Sequence, residues 1–157
     1  MSNSKKYNLF DLLKKIKLLK RDNISIGFTN GCFDLLHEGH LYLIEEAKKK
    51  CDYLIVAVNS DSSVKILKGP NRPIDDQEKR VFNLSRIDSI DAIIIFQEDN
   101  PLKLIENINP DILFKGFDYK DKEIVGSNFI HKNGGKVELI DILNGFSTTS
   151  IIKNSKI

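Results

Sequence analysis

Apolar residues recur in two different rhythms along this chain of 157 residues. In residues 7–20 they return every three or four positions with lysines between them, which is typical of an amphipathic helix. Residues 53–58 are apolar without interruption, as in a strand buried on both faces of a parallel sheet. The two patterns then alternate. They predict strands at 24–29, 53–58, 92–96, 112–115 and 137–140, a turn at 30–31, and helices at 7–20, 38–50, 75–86, 101–108, 122–132 and from Ser147.

This alternation predicts an α/β fold, a Rossmann-like doubly wound parallel sheet of about five strands flanked by helices. We expect a single domain over residues 1–157, in which residues 1–23 form an N-terminal helix and lead-in. In such folds ligands bind at the carboxyl ends of the strands, near the point where the strand order reverses. The segments that follow the strands are therefore the places to look for chemistry.

Composition removes several classes of function. A formal net charge of +2 with dispersed lysines does not favour a nucleic-acid partner. The apolar runs are too short for a membrane span, and residues 1–10 lack the apolar core of a signal peptide. Cys32 and Cys51 form no CxxC pair. We therefore expect a cytoplasmic protein that contacts neither nucleic acid nor membrane.

The segment after the first predicted strand combines glycines with two histidines. Gly31 allows a ligand to approach the backbone closely, and a helix that begins near His37 directs unpaired N–H groups and its positive dipole end at the same place. His37 and His40, three residues apart, can project on one side, and Gly39 leaves room between them. The arrangement suits a phosphate better than a metal ion, since no third ligand is near. The alternative is that one histidine caps the helix and the other packs in the core.

The twelve residues TNGCFDLLHEGH, from Thr29 to His40, resemble the HxGH signature of the nucleotidyltransferase superfamily, in its cytidylyltransferase-like group. Further segments are similar to those of the D-glycero-β-D-manno-heptose 1-phosphate adenylyltransferases, and they keep the same order between about residues 24 and 153. These segments are NSD at 59–61, KGPNRP at 68–73, EKR at 78–80, KGFDY at 115–119 and GFSTT at 145–149. The resemblance implies a stand-alone transferase domain and a homodimer.

Two positions depart from the patterns of these families. Phe117 replaces the second glycine of a KGGDY segment, so we expect a bulky ring beside the sugar pocket. Ile142 stands where the glycerol-3-phosphate cytidylyltransferases carry the arginine of RTxGISTT. The missing arginine, together with KGPNRP, favours the heptose family over the glycerol family.

The resemblance assigns roles to individual residues. Catalytic roles fall to His37, His40 and Lys68. Nucleotide binding falls to Thr29, Asn30, Gly31, Cys32, Phe33, Gly39, His40, Ser147, Thr148 and Thr149, and substrate binding to Asp34, Arg72, Arg80, Lys115, Gly116, Asp118 and Tyr119. Cys32 and Phe33 would act mainly through backbone N–H groups. We expect Mg²⁺ to arrive with the nucleoside triphosphate and no metal site made by protein alone.

Several of these residues also have plain structural interpretations. Lys68 and Arg72 could be solvated charges in a Gly/Pro-rich loop, and Arg80 could lie on a helix surface. Ser147 could be an ordinary helix cap. Asp34 could orient its loop or approach the metal ion. His131 has no motif around it, and we expect a surface histidine.

The leading hypothesis is transfer of a nucleoside monophosphate from ATP to heptose 1-phosphate, giving ADP-heptose and pyrophosphate. Its nearest rival is a CTP-dependent glycerol-3-phosphate cytidylyltransferase. A hypothesis of another class is a non-catalytic sensor that binds the nucleotide without turning it over. A dinucleotide oxidoreductase is disfavoured because no GxGxxG follows the first strand, and a P-loop enzyme because GK[ST] is missing.

Overall fold

The computed structural model describes residues 5–120 and 122–141, which form one parallel sheet and the helices that connect its strands. The strands are β1 (Ile26–Gly31), β2 (Tyr53–Asn59), β3 (Ala92–Phe96), β4 (Ile112–Gly116) and β5 (Lys136–Ile140). The helices are α1 (Leu9–Arg21), α2 (Glu38–Lys49), α3 (Asp61–Lys68), α4 (Gln77–Ser85), α5 (Leu102–Ile108) and α6 (Ser127–Lys132), and a short 3₁₀ turn covers Phe117–Tyr119.

The strand order is β3-β2-β1-β4-β5, with every described pair parallel. The chain moves outwards from β1 to β3 and then returns to pair β4 with the other side of β1. The order therefore reverses between β1 and β4, which is where a doubly wound sheet leaves a crevice. The predicted fold class is confirmed.

Two apolar layers hold the helices against opposite faces of the sheet. On one face, residues of α1, α5 and α6 pack with alternate side chains of β1 and β2, among them Phe28 and Ile55. On the other face, α2 and α4 pack against the intervening positions, among them Leu54 and Val56. Because neighbouring side chains of a strand point to opposite faces, a continuous apolar run such as β2 fills both layers.

The largest differences between the structure and the predicted elements lie in three places. β1 begins at Ile26 and continues through Asn30 and Gly31, which were predicted as a turn but pair with Ala57 and Val58 of β2. Helix α3 was not predicted at all. Helix α6 begins at Ser127, five residues later than predicted. The helix predicted from Ser147 lies outside the described residues.

Helix α3 follows β2 with no loop between them. Ser60 is its N-cap and accepts a hydrogen bond from the backbone N–H of Ser63, while Val64 is buried against the body of the protein. As a result Lys68 is the last residue of a helix, and the prediction that it lies in a loop was wrong.

Candidate active site

A cavity of about 410 Å³ lies at the carboxyl ends of β1, β2, β3 and β4, at the crevice where the strand order reverses. Asn30, Asn59, Phe96 and Lys115 line it from the ends of these four strands. The predicted site residues that line it are Asn30, Gly31, Cys32, Phe33, Asp34, His40, Lys68, Arg72, Lys115 and Tyr119. Residues from four separate stretches of sequence therefore meet around one space.

His37 and His40 form a reciprocal cap at the start of α2. His37 is the N-cap, and its Nδ1 accepts a hydrogen bond from the backbone N–H of Gly39 at 3.1 Å. The Nδ1 atom of His40 in turn accepts the backbone N–H of His37 at 3.2 Å. The two rings stack with their centroids 3.8 Å apart. The alternative had one histidine capping the helix and the other packing in the core, whereas the structure places both in the cap, which fixes the orientation of both rings.

The cap also determines where the imidazole protons are. An Nδ1 atom that accepts an N–H bond carries no proton, so the neutral ring carries its proton on Nε2. Burial, the nearby His37 and the positive charge of Lys68 lower the pKa of His40 to about 4. Burial also lowers the pKa of His37. At neutral pH, His40 is therefore an uncharged N–H donor on the wall of the cavity.

Phe33 shapes the loop between β1 and α2. Its backbone adopts a positive φ of 51°, which costs a residue with a side chain about 1 kcal/mol. Its ring is buried, meets His40 edge-on with centroids 5.4 Å apart, and lies where a Cβ on Gly31 would come within 3.1 Å. Glycine at position 31 therefore leaves room for the aromatic ring, which would have to shift slightly to accommodate a Cβ there.

Lys115 enters the cavity from β4. Its Nζ donates to Oδ1 of Asn30 at 2.7 Å and lies 5.2 Å from the centroid of the Tyr119 ring. Burial lowers the pKa of Lys115 to about 8, and the carboxylate of Asp118 works in the opposite direction. A cation held in this way, across the crevice from β1, can bind an anionic group of a ligand.

Asp34 and Arg72 form an ion pair that joins two loops. Oδ2 of Asp34, a residue only 3% exposed, accepts from Nε of Arg72 at 2.6 Å, and the carboxylate also accepts the backbone N–H groups of Ile74 and Asp75. Burial raises the pKa of Asp34, but these hydrogen bonds and the arginine outweigh it and lower the pKa overall. Both carboxylate oxygens thus accept hydrogen bonds from the loop, which supports the orienting role of Asp34. Because Asp34 also lines the cavity, its contact with substrate stays a prediction.

The structure does not support the predictions made for Arg80. This residue is 0% exposed, and its guanidinium donates to three backbone carbonyls and to the carboxylate of Asp61. It is neither a residue of the helix surface nor one that lines the cavity, so the predicted contact with substrate is not supported.

Other predicted residues lie close to the cavity without lining it. Thr29 is buried inside β1, Gly39 is buried in the first turn of α2, and Gly116 and Asp118 follow Lys115 at the end of β4. Cys32 lines the cavity, and its Sγ lies 3.7 Å from Oδ1 of Asn59. Burial raises the pKa of the Cys32 thiol, which leaves it protonated at neutral pH. Ser147, Thr148 and Thr149 lie outside the described residues.

Phe117 is the residue that replaces the second glycine of a KGGDY segment. It is 42% exposed, lies in the 3₁₀ turn after β4, and is approached by Nζ of Lys120 at 5.3 Å from the ring centroid. The turn directs this side chain outwards while Tyr119, two residues later, lines the cavity. Phe117 is therefore absent from the described lining of the cavity, and its place relative to a sugar pocket stays a prediction.

Sequence reasoning missed the wall formed by the segment after β3. Phe96, Asp99, Asn100 and Pro101 line the cavity there, and Glu123 lies on its rim from the segment before α6. These residues carry no recognisable motif. The rule that ligands meet the carboxyl ends of strands could have found them, since β3 was predicted with its observed bounds.

A doubly wound sheet with an HxGH turn at the end of its first strand, facing cationic side chains across a crevice, defines a nucleotidyltransferase fold. Residues 28–154 match the family model described as cytidylyltransferase-like, and the chain belongs to this family of nucleotidyltransferases.

More specific similarities extend over most of the chain. Bifunctional protein HldE of Granulibacter bethesdensis is 51% identical over 138 residues, which are 88% of this chain and 28% of that protein. HldE of Mesorhizobium japonicum is 50% identical over 133 residues, which are 85% of this chain and 27% of that protein. The chain thus spans little more than a quarter of the length of these relatives.

A solved structure shows the same arrangement of elements. The lipopolysaccharide core biosynthesis protein of Thermoplasma volcanium superimposes with a TM-score of 0.62 at 32% identity, covering 76% of this chain and 96% of that protein. Within residues 5–120 and 122–141, no helix is long and apolar enough to cross a membrane.

Proposed function

We propose that this chain transfers the adenylyl group of ATP to a sugar 1-phosphate, D-glycero-β-D-manno-heptose 1-phosphate, and releases ADP-heptose and pyrophosphate. The observation that carries the proposal is the pair His37 and His40, whose Nδ1 atoms are engaged by the helix start while His40 faces the same cavity as Lys68 and Lys115. The similarity to HldE proteins and to a lipopolysaccharide core biosynthesis protein supports the choice of sugar.

The reaction needs positioning and charge stabilisation more than covalent help from the protein. An oxygen of the acceptor phosphate forms a bond to the α-phosphorus of ATP, the bond from that phosphorus to the bridging oxygen of the β-phosphate breaks, and pyrophosphate leaves with the electron pair. The acceptor phosphate is already an anion, so no general base is required. The Nε2–H group of His40 would donate to phosphate oxygens as charge accumulates.

The uncharged state of the histidines suits this role. A neutral N–H donor stabilises developing charge without binding the ground-state triphosphate as strongly as a full cation would. Lys68 and Arg72, both on the cavity wall, would supply the positive charge that holds the phosphates. Lys115 would meet an anionic group from the side of β4.

We propose that Mg²⁺ enters with ATP. This ion prefers phosphate oxygens and water to a dedicated protein cage, and it neutralises charge on the triphosphate. The cavity suits such a complex because its described lining combines the cationic side chains of Lys68, Arg72 and Lys115 with scattered carboxylates, Asp99 and Glu123 among them.

The assay that tests the proposal is pyrophosphate release with Mg²⁺, pairing ATP or CTP with heptose 1-phosphate or glycerol 3-phosphate. We expect release with ATP and heptose 1-phosphate only. Release with CTP and glycerol 3-phosphate would instead establish the rival cytidylyltransferase. Binding of ATP without release in any pairing would contradict catalysis and favour the sensor hypothesis. Light scattering on the same sample tests the expected homodimer.

A further inference from the structure

Arg80 is a buried cation that makes four hydrogen bonds to protein oxygens. Its Nη1 donates to the carbonyl oxygens of Cys32 and Asn59, each at 2.7 Å, and its Nε donates to that of Asp75 at 3.0 Å. Its Nη2 donates to the carboxylate of Asp61 at 2.8 Å. A fully buried guanidinium is retained only where such partners compensate its loss of water.

The four acceptors lie where a strand ends or a helix begins, and Asp75 directly precedes the N-cap of α4. Asn59 ends β2, Cys32 follows the end of the neighbouring β1, and Asp61 opens α3. One atom, Nη1, thus joins the carboxyl ends of two adjacent strands. Because guanidinium is planar and rigid, it fixes the relative positions of these two strand ends more firmly than separate bonds would.

The bond to Cys32 also sets the direction of a peptide group. A peptide is planar and trans, so its N–H points opposite to its C=O. The carbonyl of Cys32 points to buried Arg80, and the N–H of the same peptide belongs to Phe33. That N–H therefore points away from Arg80, and both Cys32 and Phe33 line the cavity.

We infer that Arg80 is a positioning residue for nucleotidyl transfer, because by holding the Cys32 carbonyl it presents the Phe33 N–H to a phosphate oxygen. The inference rests on the proposed function. Phe33 is the residue with positive φ in this loop, a conformation that persists only when its neighbours constrain it. Its ring also meets His40, so the same contact helps to place the catalytic histidine.

The kinetic test compares Arg80→Lys and Arg80→Met with the matched surface variants Arg86→Lys and Arg86→Met. Arg86 ends the same helix and is exposed. Lysine keeps the charge, but it lacks the planar guanidinium that bonds to the carbonyls at the ends of both strands. We expect kcat of Arg80→Lys to fall roughly ten- to a hundredfold with KM values within about threefold, since small misplacements of reacting groups act on the transition state. The Arg86 variants should match the parent protein.

Asp61→Asn provides a second test of the same contact if the Arg80 variants do not fold. This substitution removes the charge partner of Arg80 but keeps a hydrogen-bond acceptor. Because the Asp61 side chain is 34% exposed, we expect its contact with Arg80 to weaken while the core stays intact. We expect a smaller loss of kcat, in the same direction and again without a matching change in KM.

The second measurement follows the Phe33 amide directly by ¹H–¹⁵N NMR during titration with Mg²⁺ and pyrophosphate. In the parent protein this amide should shift, and in Arg80→Lys its shift should fall at least by half while amides in the first turn of α2 still respond. Unchanged kcat in folded Arg80→Lys, or an equal Phe33 shift in both proteins, would overturn the inference. If the parent binds pyrophosphate but never turns over, the proposed function fails while the amide measurement still decides the role of Arg80.

Discussion

Lys115 of β4 reaches across the reversal point of the sheet to Asn30 of β1, with Nζ 2.7 Å from Oδ1. Both residues lie at the wall of the cavity, and burial leaves the pKa of the lysine at about 8. The positive charge of Lys115 is therefore present at pH 7 and largely lost at pH 9. Other charged groups around it are Asp118, whose carboxylate favours the cation, and Lys122, whose Nζ lies over the same Tyr119 ring.

Lys115→Arg should abolish a pH dependence that the parent protein shows. In the parent protein we expect KM for one of the two substrates to rise about tenfold between pH 7 and pH 9, because Lys115 loses its proton. In the arginine variant, which remains charged, this KM should change little over the same range. Steady-state kinetics across this range provide the measurement, with Lys120→Arg on the exposed neighbouring turn as control. An identical rise in Lys115→Arg would show that another group titrates.

Substitutions of His40 can separate its two ring nitrogens. His40→Asn can place an oxygen near the position of Nδ1 and keep the helix cap, but it loses the Nε2–H donor. His40→Gln can place a donor near Nε2 but weakens the cap. We expect kcat for pyrophosphate release to fall roughly a hundred- to a thousandfold in the asparagine variant, and less in the glutamine variant. His131→Asn on the exposed surface of α6 is the control.

If both His40 variants lose activity equally while circular dichroism shows an intact fold, the donor assignment to Nε2 is incorrect. A retained kcat in His40→Asn would remove the ring from the chemistry altogether.

Stability should depend on pH through His40. Its folded pKa of about 4 is below the unfolded value of 6.5, so between these values the unfolded chain binds more protons. The contribution is fully present above pH 6.5 and is lost as pH falls to about 4. We expect the free energy of unfolding, from urea titrations, to decrease more steeply over this window in the parent than in His40→Asn. Asp34, with its pKa lowered from 3.8, titrates below the window. Parallel curves would contradict the prediction.

Asp34→Asn should destabilise the protein by about 3 kcal/mol, because it leaves Arg72 without its charge partner and sets an amide NH₂ group against donors. Urea unfolding at pH 7 measures the loss, and exposed Asp88→Asn should change stability by less than about 0.5 kcal/mol. A loss below about 1 kcal/mol would mean that the loop from Arg72 to Asp75 does not depend on this carboxylate.

Local patterns in the sequence predicted most of the fold. β3 was predicted with its observed bounds because its five residues are apolar and nearly all buried. Helix α3 was missed because it is short, buries little apolar surface and begins straight after β2, so that no break marks it. Asn30 and Gly31 look like a turn, yet pairing with β2 keeps them in a strand. Tertiary pairing decided that case against local propensity.

The candidate site also contains some features that local sequence predicts and others that only the folded chain reveals. The contact between His37 and His40 is a relation within four residues, and their spacing alone predicted that both rings lie on one side of the helix start. The partners of Arg80 are up to 48 positions away, so only the folded chain shows that its guanidinium makes four hydrogen bonds to protein oxygens. The outward direction of Phe117 depends on the backbone of a 3₁₀ turn, which composition does not reveal.

Residues at the amino terminus of the described chain protect one edge of the sheet. The backbone of Ile93 in β3 donates to the carbonyl of Lys5 and accepts the N–H of Tyr7, so the outer side of this strand is already occupied. A protein shortened to begin at Asn8 would expose these backbone groups on an apolar edge strand, a template to which other copies can add in register. Residues 5–7 therefore cover part of an edge that would otherwise be open to other copies of the chain, and we expect their deletion to show itself first as aggregation on concentration.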